Sequence, residues 1–109
     1  ERKGAHAGWA AHPAAQAEWK ALLASTERPI ALVIAPYHRS YFDGFQHKDE
    51  AQAYLSELDA LPNVTVIDLG QMDLPDSCFL NTTHTDYAGA KVFSKRLRGD
   101  LLDKGILTR

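Results

Sequence analysis

Ile30-Ala31-Leu32-Val33-Ile34-Ala35 and Val64-Thr65-Val66-Ile67-Asp68-Leu69 are the segments that most limit the fold. Each is a short apolar run, rich in β-branched residues and bounded by turn formers. Pro29 and Pro36 flank the first, and Pro62-Asn63 and Gly70 flank the second. Runs of this length and type read as strands, the first as one covered on both faces in a parallel sheet. Between them Ala51, Tyr54, Leu55 and Leu58 recur at helical spacing, with Asp49 and Glu50 near the positive end of the helix dipole. A strand–helix–strand crossover of this length requires two parallel strands with a right-handed connection.

The rest of the chain arranges itself around that unit. Residues 1–12, with Gly4, Gly8 and Trp9, read as an irregular arm, and residues 13–109 as a single α/β domain. Pro13 suits the first turn of a helix, where its missing N–H costs nothing. Trp19, Leu22 and Leu23 then form an i, i+3, i+4 apolar face that ends near Ser25-Thr26. Residues 37–46 read as an aromatic-rich loop and residues 70–84 as a long loop. A final helix is expected from about Asp86 to Lys104, with Ala90, Phe93, Leu97 and Leu101 on one face and Gly105 as its stop. Two strands make a poor sheet alone, so covering helices, a second copy paired through an exposed strand edge, or further strands are required.

Composition excludes several classes. A chain of 109 residues can bury roughly 60 to 70% of its unfolded surface in one core. Hydrophobic residues make up 45% and charged residues 24%, the balance of an ordinary globular chain. The formal net charge is -2 and no Lys/Arg stripe forms, so a nucleic-acid partner has no electrostatic footprint. The apolar run from Ile30 to Pro36 is far too short to span a membrane. The single Cys78 excludes an internal disulfide and a cysteine-only zinc site. The chain opens at Glu1 without an initiator Met or a signal peptide, as expected of a processed product, a tag remnant or a piece of something longer.

Chemistry concentrates in Phe79-Leu80-Asn81-Thr82-Thr83-His84-Thr85-Asp86-Tyr87-Ala88-Gly89-Ala90. His84 stands at the mouth of the last helix, past a polar loop. In open α/β folds that is where ligands and catalytic groups gather, beyond the carboxyl ends of the strands. Read by itself, His84 is either a general base or an ordinary polar residue of a Thr-rich loop.

The block Phe79, Asn81, His84, Gly89, Ala90, Phe93, Ser94 and Leu97 resembles the last catalytic block of SGNH (GDSL-type) hydrolases. It is most similar to the cell-envelope branch that handles O-acyl groups on polysaccharides and teichoic acids. The run Val33-Ile34-Ala35-Pro36-Tyr37-His38-Arg39-Ser40-Tyr41 also looks like that branch, where a buried strand ends in Pro and leads to an aromatic loop near the site. The resemblance covers residues 15–105. It implies a three-layer SGNH/flavodoxin-like fragment, the C-terminal half of the domain, with two parallel strands and three to four helices. It also implies a hydrolase or acyltransferase for ester-linked acyl groups of a carbohydrate or another small ester, needing no metal or other cofactor, in an extracytoplasmic or envelope setting. His84 would be the general base, Asn81 or Asp76 would orient its ring, and Tyr37, His38 and Tyr41 would lie near the substrate.

Two departures shape that expectation. The family's nucleophile lies in an N-terminal Gly-Asp-Ser block, and none occurs here. The serines are Ser25, Ser40, Ser56, Ser77 and Ser94, and the sequence pattern places none of them on a strand-to-helix turn of that kind. The family's Asp, three positions before the histidine, is Asn81; Asp76 and Asp86 are the nearby carboxylates that could replace it. The chain alone is therefore expected to be inactive, its serine supplied from elsewhere. The alternative is a non-enzymatic α/β module that binds carbohydrate or a protein through the Tyr37–Phe45 loop.

Other constellations are weaker. His38, His47, Asp43 and Asp49 match no metal-ligand spacing and read as solvated loop residues. Tyr37, Tyr41, Phe42 and Phe45 could stack on a sugar or pack over the open end of the sheet. Trp9 and Trp19 read as core or interface anchors. Lys91, Lys95, Arg96 and Arg98 read as a solvated face mixed with Asp100 and Asp103, and Cys78 as half-buried packing.

Overall fold

A computed structural model describes residues 12–108. It is a mixed α/β chain with four α-helices and a parallel two-stranded sheet. The helices are α1 (Pro13–Ala24), α2 (Arg39–Asp43), α3 (Lys48–Asp59) and α4 (Tyr87–Asp103). Strands β1 (Ile30–Ile34) and β2 (Val64–Asp68) form the parallel pair, and β3 (Phe79–Asn81) with β4 (His84–Thr85) forms a separate antiparallel ribbon. The expected arm and Trp9 lie outside the described residues; of the arm, only His12 is described.

The chain clusters into two compact units. One holds the described residues up to Leu32 together with Asp43–Val66. The other holds Val33–Phe42 and the chain from Ile67 onward.

In the first unit, α1 begins at Pro13, and His12 Nδ1 accepts the Ala15 N–H at 3.3 Å, satisfying one of the amides that a helix start leaves open. Its core is Leu23, Leu58 and Val64, packed by Ile30, Leu32, Tyr54, Leu61 and Val66. Of the apolar face expected on α1, only Leu23 enters this core; Trp19 and Leu22 are exposed. Asn63 ties the unit together. Its side-chain amide donates to the Leu23 carbonyl at 2.9 Å and the Thr26 carbonyl at 3.0 Å, while its own carbonyl accepts the Ile30 N–H at 2.8 Å. One residue thus closes the end of α1, starts β1 and starts β2. The Asp59 carboxylate adds a bond from the Val66 N–H at 2.7 Å.

In the second unit, Ile67, Leu69 and Leu74 are buried. The β-ladder continues past the strand ends: Leu69 N–H donates to the Ile34 carbonyl at 3.0 Å and Tyr37 N–H to the Gly70 carbonyl at 2.9 Å. The next residue, His38, donates its N–H to the Thr82 carbonyl at 2.8 Å, which fastens the β3–β4 turn to the chain leaving β1. Gly70 lies under the Tyr37 ring, and a Cβ there would come within 2.7 Å of Cζ. Helix α4 is capped by Asp86, whose carboxylate accepts the Gly89 N–H at 2.8 Å. It ends in a Schellman motif: Gly105 takes φ +74, its N–H donates to the Leu102 carbonyl, and Ile106 N–H reaches the Leu101 carbonyl.

Three expectations need correction. Residues 37–46 hold the short helix α2, and residues 70–84 hold a 3-10 turn (Asp76–Cys78) and β3 as well as loop. Strand β1 is not covered on both faces: no residue in it is fully buried and Val33 is 38% exposed. A face is covered only where a helix or loop packs on it, and the side of the strand that carries Val33 meets too little of either to bury it.

Asn63→Ala removes the amide that serves two half-buried carbonyls and leaves them unpaired. We expect a loss of about 1–3 kcal/mol of stability, read as a lower urea midpoint with an unchanged slope.

Candidate functional site

The side chains around His38 and His84 lie in the second unit, on the chain after β1 and in α2, on the 3-10 turn and on the β3–β4 ribbon. Two histidines dominate them, and their partners differ.

His84 is exposed at the start of β4. Its Nδ1 lies 2.9 Å from Asn81 Oδ1, across the two-residue turn Thr82-Thr83. The same oxygen accepts the Thr83 N–H at 3.0 Å, so it is fixed as the acceptor of an Asx turn. Thr83 Oγ lies 3.2 Å from Nδ1 as well. Because an amide oxygen only accepts, Nδ1 is the donor in this bond, which in the neutral ring leaves the lone pair on Nε2. Nε2 has no hydrogen-bond partner among the described residues. The Asn81 amide therefore orients the ring without offering a charge to an imidazolium.

His38 is the better-built group. Its ring packs edge-on to Phe79, with centroids 5.3 Å apart at 87°. Nε2 lies 3.0 Å from Asp76 Oδ1, and Nδ1 lies 2.8 Å from Ser40 Oγ and 3.2 Å from the Ser40 N–H. Arg39 adds exposed contacts to both carboxylate oxygens of Asp76, at 3.3 and 3.4 Å. Exposed ion pairs of this kind contribute at most about 1 kcal/mol. A cleft of about 180 Å³ borders the pair, lined by Tyr37, His38, Arg39, Met72, Asp76 and Phe79 among others.

Of the expected site residues, Asn81 and His84 are therefore brought together. Asp76 makes its hydrogen bonds with His38 and Arg39, and Asp86 makes its own with the first turn of α4, so neither carboxylate orients His84. Tyr37 and Tyr41 pack on each other at 5.7 Å, and Tyr37 stacks with Phe42 at 6.2 Å and 9°. These rings are half-buried, and Tyr37 also lines the cleft beside His38. His47 pairs with Glu50 at 2.6 Å. Among the described residues no group of three or more His, Cys, Asp and Glu side chains is placed to hold a metal. No helix of the described residues is long and apolar enough to cross a membrane.

Ser40 is the residue that pattern reading missed. It lies in the first turn of α2, the helix that follows β1, and so does sit on a strand-to-helix turn. The available signal was the His-x-Ser spacing directly after Pro36, read as part of an aromatic loop because no periodicity marks a helix of one turn.

No family model matches this chain, and no curated protein or solved structure matches it.

Burial raises the Tyr37 hydroxyl above its ordinary value of 10.0, and the nearby Asp68 carboxylate and Tyr41 push in the same direction. The folded chain thus holds this proton more tightly than the unfolded chain does. The resulting stability is complete below the unfolded value and is lost as pH rises through the higher folded one. Between about pH 9 and about pH 11, Tyr37→Phe should show a shallower fall in denaturant midpoint than the parent chain.

Proposed function

We propose that this chain is the histidine-bearing, C-terminal portion of a three-layer SGNH-like hydrolase or acyltransferase that acts on ester-linked acyl groups of carbohydrate. The observation that carries the reading is the His84 ring: tied through Nδ1 to Asn81 Oδ1 at 2.9 Å, exposed, and with Nε2 unpartnered among the described residues. A general base needs that tautomer and that open lone pair. The bond from His38 N–H to the Thr82 carbonyl supports the same reading, because it fastens the turn carrying His84 to the chain just beyond the carboxyl end of β1.

In this reading a serine hydroxyl from outside these 109 residues gives its proton to His84 Nε2 while attacking the ester carbonyl. The imidazolium then passes the proton to the leaving alcohol. Asn81 holds the ring but leaves the imidazolium without a counter-charge. In serine-protease triads the corresponding Asp-to-Asn change lowers turnover by about four orders of magnitude, so the site is expected to be slow. The open edges of a two-stranded sheet fit a domain whose remaining strands come from a neighbouring segment or a second copy. The rival binding role for the Tyr37–Phe45 loop is disfavoured by the mutual packing of Tyr37, Tyr41 and Phe42.

The test uses the product of the full coding sequence on an O-acetylated polysaccharide. His84→Ala should lower turnover at least about 100-fold. Asn81→Asp should raise it, by restoring a charge beside the ring. Unchanged turnover in His84→Ala, or a parent sequence without an upstream Gly-Asp-Ser strand end, overturns the assignment.

A further inference from the structure

The His38 cluster has a separate chemistry that the reading of His84 does not use. We propose that Ser40 is an activated nucleophile, deprotonated by His38 and supported through Asp76, that accepts the acyl group of a small soluble ester.

The connectivity carries the proposal. Ser40 Oγ, the His38 ring and the Asp76 carboxylate form one unbroken chain, with links of 2.8 Å and 3.0 Å. An ionised carboxylate only accepts, so Nε2 must carry the ring proton and Nδ1 must keep its lone pair. That lone pair faces the Ser40 hydroxyl. The Asp76 end comes from 38 residues away in sequence, so the link is a product of the fold and not of local chain geometry. The ring is held further by its edge contact with Phe79 and by the bond from its own backbone N–H to Thr82. Ser40 itself is exposed, so a soluble ester can approach Oγ. The 180 Å³ cleft is lined by His38 and Asp76. Ser40 lies outside that lining, so the cleft borders the base and its carboxylate while the hydroxyl faces solvent, where a small soluble ester reaches it without a long-chain pocket.

The step balances without a further reactant. Ser40 Oγ forms a bond to the ester carbonyl carbon as its proton passes to His38 Nδ1. The carbon–oxygen bond to the alcohol breaks, and the Nδ1 proton leaves with the alcohol. Water then attacks the acyl-serine by the same route, returning the serine proton and releasing the acid. Asp76 lies against the Nε2 proton throughout and offsets the charge of the imidazolium, the support that Asn81 does not give His84.

His38 Nδ1 also accepts the Ser40 N–H at 3.2 Å, and that contact alone could be a helix cap. His38→Asn separates the roles: asparagine caps a helix start well but is no base. The experiment treats the chain with an alkyl fluorophosphonate and maps the adduct by peptide mass spectrometry. In labelling, the Oγ–phosphorus bond forms, the phosphorus–fluorine bond breaks, and the hydroxyl proton goes to Nδ1. The expected result is an adduct on Ser40, absent in Ser40→Ala and unaffected by Ser94→Ala on the exposed face of α4. His38→Asn should slow labelling at least about 100-fold with unchanged circular dichroism, and Asp76→Asn should slow it as well. No adduct on Ser40, or labelling of His38→Asn at the parent rate, overturns the proposal. Because the readout is a position in the sequence and not turnover, either result is distinguishable from the outcome for His84.

Discussion

The chain leaving β1 positions every group with chemistry in the second unit. Three consecutive backbone bonds guide it: Leu69 to Ile34, Tyr37 to Gly70, and His38 to Thr82. The first two prolong the parallel ladder beyond its formal end, and the third passes the chain to the β3–β4 turn. Gly70 makes the passage possible, since the Tyr37 ring fills the space a side chain would need. Displacing that stretch would move His38, Ser40 and the support of the His84 turn together. Backbone bonds that continue the ladder past the strand ends fix where His38 begins, and a proton-transfer geometry requires fixed positions.

The two histidines show how the partner decides what the same ring can do. Asn81 holds His84 by a neutral oxygen that is also committed to the Thr83 amide. Asp76 holds His38 by a carboxylate that Arg39 also contacts. Both arrangements leave one ring nitrogen with a lone pair. Only the second supplies a counter-charge if that nitrogen takes a proton, and only the second has a hydroxyl at hydrogen-bond distance from the nitrogen with the lone pair; the Thr83 hydroxyl lies 3.2 Å from His84 Nδ1, the nitrogen committed to Asn81. An amide-for-carboxylate exchange at one histidine thus sits beside an intact carboxylate–imidazole–hydroxyl chain at the other.

Much of the fold was legible because it rests on local signals. Pro13, Asp86 and Gly105 mark helix limits through backbone chemistry that acts within a few residues, and the β-branched runs mark β1 and β2. The half-buried face of α4 through Ala90, Phe93, Leu97 and Leu101 follows its spacing. The apolar face of α1 did not translate into burial, because whether Trp19 and Leu22 are covered depends on what lies opposite, which spacing does not encode. Helix α2 was invisible for another reason: one turn has no period. The pairing of Asn81 with His84 was legible only as one of two alternatives that the resemblance implied, Asp76 being the other. The pairing of Asp76 with His38 was not legible, since 38 residues separate them.

By itself, the sequence determined the order of the principal elements, the parallel sense of β1 and β2, and the presence of a histidine beside the start of α4. These follow from periodicity, crossover length and capping, all of which are properties of neighbouring residues. Tertiary structure alone decided which carboxylate reaches which ring. Asp76 could have served His84, and the fold instead delivers it to His38, because the 3-10 turn carries it to the loop after β1 while Asn81, held in its Asx turn, bonds His84. Hydrogen-bond reach is a matter of about 3 Å, and only the folded backbone sets distances on that scale.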